Sequence, residues 1–189
     1  MEAMIAEILE TERLQSPHGG LHRRRVDLAG LVQAVSDSFR DRVPSVMLSR
    51  PAPPLWLHID SDRIQTAVRN VVENAVKYSN PAAPSVDVSV VSEQNGAAVR
   101  VRNRGNPIPA QELPLLFEPF YRVDKSRSKE TGGYGLGLSL CRTIFEMHGG
   151  TATLTSDDRD GTVVTLWLPA GTGEEFPAKL QPRSIAREG

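Results

Sequence analysis

The chain has one cysteine in 189 residues, Cys141. No intramolecular disulfide can form, and the usual zinc spacings are not available. Cys141 falls inside an apolar helical pattern and reads as a buried structural thiol. No apolar run approaches the ~18 residues of a membrane span, and no signal-peptide pattern opens the chain. A soluble, intracellular chain is therefore expected. Charge of one sign is also lacking: 22 Lys and Arg stand against 23 Asp and Glu, for a net charge of -1. That balance gives no global pull towards nucleic acid or an acidic membrane. The one basic run, His22 to Arg25, is short, follows a helix end and reads as a solvated linker. There is no G-x-x-x-x-G-K-[ST] phosphate loop, no kinase-type H-R-D or D-F-G element and no internal repeat.

What is present is ordinary for a globular chain: 39% hydrophobic and 24% charged residues. A core of about 140 residues buries roughly two thirds of its unfolded surface without a covalent staple. Met1 to Leu14 sets Met1, Ile5, Ile8, Leu9 and Glu12 around a helix with one apolar stripe, ended by Ser16-Pro17 and Gly19-Gly20. Helical periodicity resumes over Val26 to Phe39, with Asp27 as N-cap. Short strands are expected near Val46–Leu48 and Leu55–Ile59, split by Pro51, Pro53 and Pro54. Asp60 or Ser61 caps a long helix through Tyr78, with Ile64, Val68, Val71 and Ala75 on one face. "SVDVSVV" and "AAVRVRN" form one hairpin. "TATLTS" and "TVVTLWL" form another around "DDRDG". Between them lie a long loop, Arg104 to Gly133, and a helix from Leu136 to Met147 stopped by Gly149-Gly150. The chain from Pro169 onward reads as a fraying tail. The expected fold is a two-layer sandwich, a mixed sheet of about five strands covered on one face by about three helices.

Four stretches carry candidate chemistry. "TGGYGLGLSL", Thr131 to Leu140, sets Gly132, Gly133, Gly135 and Gly137 at the mouth of a helix. Backbone N–H groups there can meet an anion without a Cβ in the way, although glycine clusters also mark plain flexible loops. In "RNVVENAVKYS", Asn70, Asn74, Lys77 and Tyr78 share one helical face opposite the apolar stripe. Amide oxygens suit Mg²⁺, which keeps waters and shares phosphate oxygens, and a lysine one turn on can neutralise those phosphates. A solvated amphipathic helix is the bland alternative. "VRVRNRGNPIP" ends a strand at Asn103 and turns through Gly105, setting a short polar side chain at a pocket edge. "LFEPFYRVDKSR" offers Phe117 and Phe120 as anchors, followed by Arg122 and Arg127.

In their order and spacing these stretches resemble the ATP-binding catalytic domain of two-component sensor histidine kinases, within the gyrase, Hsp90, histidine kinase and MutL superfamily. "NVVENAVKYS" is similar to the N box, "NRGNPIP" to the G1 box, "LFEPFYR" to the F box and "GGYGLGL" to the G2 box. "GTVVTLWLP" is similar to the closing strand. The resemblance implies an α+β Bergerat-type sandwich with a mostly antiparallel sheet. It also implies a division into a dimerisation-helix remnant and linker (1–25), an ATP-binding catalytic domain (26–170) and a tail (171–189). By the same resemblance the cofactors are ATP and Mg²⁺, with Asn74 ligating the metal and Asn70 beside it. Lys77 and Tyr78 approach the phosphates and the adenine side. Arg104 to Gly137 forms a lid hinged by its glycines, with Arg122 and Arg127 reaching inward. Asn103, Gly105, Ile108, Gly132, Gly133, Gly135, Leu136, Gly137, Leu138 and Thr162 complete the implied ATP contacts.

Two positions depart from the family pattern. Asn103 stands where Asp is usual, and its carbonyl accepts the adenine amino group without charge assistance, a loss of ~1 kcal/mol. Pro107 stands at the usual second G1 glycine and stiffens the start of the lid. None of the four histidines, His18, His22, His58 and His148, sits in a phosphoacceptor context. His58 and His148 read as structural. The resemblance therefore implies a protein-histidine kinase domain with no catalytic acceptor of its own. It would donate the γ-phosphoryl group to a dimerisation domain carrying the acceptor histidine. Its other implied partner is a response regulator, with no nucleic acid. The full-length protein would be a homodimeric phosphoprotein, the domain cytoplasmic, and membrane anchoring of the whole left open. Glu73 lies off the centre of the polar face and reads as a solvated carboxylate. Three rivals stay open: a hydrolytic ATPase of the same superfamily, which would carry Glu at the position of Asn70; a non-enzymatic nucleotide-binding interaction module; and an anti-sigma serine kinase.

Overall fold

The structure, a computed structural model, describes residues 20–50, 54–93, 95–123 and 134–171. The helix expected over Met1–Leu14 and the tail expected beyond residue 171 lie outside the described residues. A first strand, β1 (Arg24–Asp27), leads into helix α1 (Leu28–Asp37). Asp27 caps that helix as expected, its Oδ1 accepting the Ala29 N–H at 3.1 Å. The helix starts two residues later than Val26 and ends two short of Phe39, because Val26 and Asp27 are claimed by β1.

Strands β2 (Ser45–Ser49) and β3 (Trp56–Ile59) follow, and then the long helix α2 (Ser61–Tyr78). Asp60 caps α2, its Oδ1 accepting the Arg63 N–H at 3.3 Å. The predicted stripe of Ile64, Val68, Val71 and Ala75 is buried. Asp62 in the first turn and Lys77 in the last both complement the helix dipole and favour the helix.

The hairpin β4 (Ser85–Glu93) and β5 (Gly96–Asn103) comes next. A 3₁₀ turn at Leu113–Phe117, helix α3 (Gly137–Met147) and the hairpin β6 (Thr151–Asp157) and β7 (Gly161–Pro169) complete the order. Gly149, at φ 78°, ends α3. The Gly150 N–H returns to the Phe145 carbonyl at 2.8 Å and the Gly149 N–H to Glu146 at 2.9 Å, closing the helix on its last carbonyls.

Five strands pair in the order β2-β4-β5-β7-β6, with β2 parallel to β4 and the other pairs antiparallel. The expected mixed, mostly antiparallel sheet of five strands with three helices is what forms. Inward positions Val86, Val88 and Val90, then Val99 and Val101, then Leu166 and Leu168 meet Leu28, Val32, Val68, Ile144 and Phe145 in one core. Each such side chain contributes roughly 1.5–3 kcal/mol by leaving water.

One expectation is corrected. The basic run read as a solvated linker supplies Arg24 and Arg25 to β1, which pairs antiparallel with β3 in a separate two-stranded ribbon. The segment Leu55–Ile59 thereby leaves the main sheet. Pairing is reinforced by side chains: Arg23 Nη2 donates to the Met147 carbonyl at the end of α3 (2.9 Å), and Arg24 Nη2 to Ser61 Oγ (2.5 Å). The Arg25 guanidinium stacks 4.8 Å from the centre of the Trp56 ring.

His148 locks this ribbon to α3. Its Nε2 accepts the Asp60 N–H at 3.0 Å, so its Nδ1 carries the proton and donates to the Ile144 carbonyl at 2.7 Å. Only the neutral imidazole satisfies both contacts, and burial pushes its pKa below the ordinary 6.5. The unfolded chain thus holds more protons between the lowered value and 6.5. Stability is full above that window and falls as pH drops through it. Burial alone would raise the Asp60 carboxyl, but hydrogen bonds from the backbone of His22 and Arg63 and the charge of Arg63 hold it below 3.8. Its contribution is present above 3.8 and lost at lower pH. Urea unfolding of the wild type is expected to show this slope below pH 6.5. In His148→Gln, less stable at neutral pH, the slope should vanish; equal slopes in the two proteins would contradict the assignment.

Candidate functional site

Register across the sheet creates an abrupt change of chemistry. Val101 pairs with Val164, and Val164 with Leu154, giving one apolar row on the helix-facing side. Two residues on, Asn103 pairs with Thr162 and Thr162 with Ser156, giving a polar row on that same side. Asn103 and Thr162 are 7% and 8% exposed, so this row is nearly enclosed. Thr162 Oγ1 lies 2.8 Å from Ser156 Oγ, and Ser156 Oγ accepts the Ile108 N–H at 3.0 Å. The predicted residues Asn103, Ile108 and Thr162 are thereby brought together. Ser156 is an addition to the predicted set.

The turn after Asn103 is held against the end of α2. The Asn80 N–H donates to the Arg104 carbonyl at 2.7 Å. A Cβ on Gly105 would collide with the Tyr78 carbonyl oxygen and come within 3.3 Å of Asn103 Nδ2. Glycine at 105 is therefore what lets Tyr78, Gly105 and Asn103 share one corner. Gly161, also absent from the predicted set, meets the same demand. It has φ 75°, and a Cβ there would collide with the Asn103 carbonyl. On the outer face, Asp87 accepts from Arg102 at 2.9 Å and lies 3.5 Å from Arg104. Burial opposes ionisation of Asp87, but the Ser85 hydroxyl and these two arginines hold its pKa below 3.8.

Helix α2 brings its amides to the opposite wall. Asn70, Asn74 and Lys77 are half-buried, Tyr78 is half-exposed, and the Lys77 ammonium sits 5.0 Å from the centre of the Tyr78 ring. Glu73 is exposed, in keeping with a solvated carboxylate. Asn70 Nδ2 is buried and meets no hydrogen-bond acceptor among the described residues. An unpaired buried donor costs about 1–3 kcal/mol unless something supplies an acceptor. The first residue of α3 stands next to it: a Cβ on Gly137 would lie 3.7 Å from Asn70 Cβ and 3.8 Å from Asn70 Nδ2. Leu136, which precedes α3, provides no side-chain cap, so no side chain closes the first-turn N–H groups from that position.

Parts of the segment expected to act as a lid are described. Phe117 is buried and anchors the 3₁₀ turn. Phe120 adopts φ 65°, its N–H donating to the Gly135 carbonyl at 3.0 Å. Gly135 is itself at φ 77° against the Phe120 and Tyr121 backbone. Gly135 therefore holds the backbone of Phe120 and Tyr121 close to the start of α3. Arg122 is half-buried just beyond. Leu136 is buried and Leu138 packs against the core, which gives both a structural part. Arg127, Gly132 and Gly133 lie outside the described residues.

Two surface recesses of the described residues lie elsewhere. One is bordered by His22, Arg24, Asp60 and Thr66, the other by Asp87, Arg102 and Asp157 on the outer sheet face. Both are rich in groups already paired with one another. The unsatisfied donor of Asn70 and the neutral amides of α2 make the α2–α3 junction the better candidate. That donor set fits a phosphate with a hydrated divalent ion. Phosphate oxygens would accept from Asn70 Nδ2, and an amide oxygen is the hard, neutral ligand Mg²⁺ takes alongside waters and phosphates. Among the described residues no group of three His, Cys, Asp or Glu side chains could hold an ion without such help.

Comparison with known proteins gives the family. The family described as histidine kinase-, DNA gyrase B- and HSP90-like ATPase matches residues 59–172. The sensor histidine kinase YkoH of Bacillus subtilis is 31% identical over 183 residues, covering 92% of this chain and 40% of that protein. The sensor-like histidine kinase SenX3 of Mycolicibacterium smegmatis is 33% identical over 172 residues, covering 88% of this chain and 44% of its own length. The chain thus spans less than half of these relatives. The solved structure of the mycobacterial sensor histidine kinase MprB superposes with a TM-score of 0.66 at 28% identity, covering 78% of this chain and 97% of that one. With the two-layer sandwich, the family match and these relatives in agreement, the chain belongs to the histidine kinase-, DNA gyrase B- and HSP90-like ATPases, and its likeness there is to the catalytic domains of sensor histidine kinases.

Proposed function

We propose that this domain binds Mg²⁺·ATP between the amide face of α2 and the start of α3, and donates the γ-phosphoryl group to a histidine on a dimerisation domain. The observation that carries the reading is Asn70 Nδ2, a buried donor left without an acceptor beside Gly137. Asn74 holds the ion, with Asn70 beside it, and the metal neutralises phosphate charge when bound. Lys77 supplies a second positive charge one turn on, and Tyr78 closes the adenine side. The polar row of Asn103 and Thr162 receives the base, with Gly105 keeping the turn clear of Cβ atoms. Gly132, Gly133, Gly135 and Gly137 joint the lid, and Arg122 and Arg127 approach the phosphates from it.

Transfer forms a phosphorus–nitrogen bond at the acceptor imidazole and breaks the bond from the γ-phosphorus to the bridging oxygen, leaving ADP. The protein's part is positioning and charge neutralisation. Of the described histidines, neither His22 nor His58 sits in a phosphoacceptor sequence context. His148 is buried between Asp60 and Ile144, and His58 pairs with Arg25 in the ribbon. On this reading the whole protein works as a homodimeric two-component kinase with a response regulator downstream, the catalytic domain facing the cytoplasm. Asn70, an amide, offers no carboxylate base for water, which favours transfer over hydrolysis.

Calorimetric titration with ATP should show binding that weakens on removal of Mg²⁺. Asn74→Ala should bind about tenfold more weakly with Mg²⁺ present, the scale of one lost charge-assisted contact, and should lose most of the Mg²⁺ dependence. Unchanged Mg²⁺ dependence in that variant would remove Asn74 from the metal. Labelled γ-phosphate should appear on a separately supplied dimerisation domain bearing the acceptor histidine. Binding without transfer would favour a nucleotide-sensing module, and release of free phosphate a hydrolase.

A second prediction concerns the base. Asn103→Ala should weaken ATP about fivefold, the equivalent of ~1 kcal/mol for one neutral hydrogen bond, whereas Asn103→Asp should bind as well as the wild type or better. Equal affinities for the alanine variant and the wild type would exclude Asn103 from base recognition.

A further inference from the structure

We propose that Ser156 is a positioning residue of the nucleotide site, fixing the start of the lid and setting the direction in which the Thr162 hydroxyl points its proton. This rests on the nucleotide reading above. Ser156 lies in no predicted motif, yet its hydroxyl touches two residues of the site from one strand away. It accepts the Ile108 N–H at 3.0 Å and sits 2.8 Å from Thr162 Oγ1.

The first contact matters because of what surrounds Ile108. Pro107 and Pro109 flank it, and proline has no N–H. Ile108 is therefore the only backbone donor across those three residues, and Ser156 holds it. This is the one hydrogen bond by which that short stretch is tied from its own backbone to β6. Losing it frees the Pro107–Pro109 stretch from β6.

In the second contact either hydroxyl could donate by geometry alone. A serine hydroxyl has one proton and two lone pairs. One lone pair of Ser156 is taken by the Ile108 N–H. Accepting that bond polarises the hydroxyl and makes it the better donor of the two, and on that ground the Ser156 proton is assigned to Thr162 Oγ1. Thr162 then accepts from Ser156, and its own proton is left to point along the row towards Asn103, where the base is received. The order Ile108 N–H to Ser156 to Thr162 to ligand is a directed chain. It presents a donor to a ring nitrogen of the base, while Asn103 presents an acceptor to an exocyclic amine. Ser156 touches no ligand itself and acts through its two neighbours.

The experiment measures affinity for a non-hydrolysable ATP analogue with Mg²⁺, in the whole chain, for the wild type, Ser156→Ala, Ser156→Thr, Thr162→Val and Ser156→Ala combined with Thr162→Val. Ser156→Ala should bind about fivefold more weakly, the scale of one neutral hydrogen bond, with its melting temperature close to that of the wild type. The Ile108 amide should exchange faster with deuterium in that variant. Ser156→Thr retains the hydroxyl and should restore affinity to within about twofold. In the Thr162→Val background the Ser156→Ala change should cost less than it does alone, since the hydroxyl chain is already cut and only the Ile108 contact is left to lose. Wild-type affinity in Ser156→Ala would overturn the role of Ser156, and penalties that simply multiply in the double variant would overturn its action through Thr162; either result leaves the nucleotide site standing. Failure of the wild type to bind the analogue would overturn both.

Discussion

Pairing of β7 with β5 on one side and β6 on the other puts Val101, Val164 and Leu154 in one row and Asn103, Thr162 and Ser156 in the next. Everything at this end of the domain depends on that register. A slip by one residue would turn the valines and Leu154 to solvent and the polar triplet to the outer face. The apolar rows hold it in place, because they are packed against α2 and α3. The polar row is the point at which the sandwich stops being a core and becomes a surface that can take up a ligand.

The same economy governs the helices. One face of α2 buries Ile64, Val68, Val71 and Ala75, which leaves Asn70, Asn74 and Lys77 on the side towards the site. Helix α3 then comes close enough to set Gly137 against Asn70. Glycine is used where backbone must approach backbone: Gly105 at the Tyr78 carbonyl and Gly161 at Asn103. At both positions glycine provides a clearance that a Cβ would close. At the far end of the same helices, Arg23, Asp60 and His148 fasten the β1–β3 ribbon to the termini of α2 and α3.

Much of this was legible from residue order. The stripe of α2, the Asp27 and Asp60 caps, the glycine stop after α3 and both hairpins follow local rules, and the structure has them where those rules put them. Strand β1 was not legible. Its four residues, Arg-Arg-Val-Asp, carry no alternation, and their partner β3 lies some thirty positions on. The His148–Asp60 contact spans 88 positions and has no local signature. Ser156 could have been found. Once "DDRDG" is read as a three-residue hairpin loop, Ser156 and Thr162 fall opposite one another, a pair of hydroxyls at the edge of a pocket. Gly161 carried a similar signal as the positive-φ residue that closes such a loop.

The most direct test is an amide-resolved NMR titration of the whole chain with Mg²⁺ and a non-hydrolysable ATP analogue. The account predicts that the side-chain amides of Asn70 and Asn74 and the backbone of Asn103, Ile108, Thr162 and Gly137 shift together and saturate at one concentration. Shifts confined to the outer-face recess around Asp87 and Arg102, or to the recess around Asp60 and Arg24, would contradict it. So would a spectrum unchanged at millimolar nucleotide.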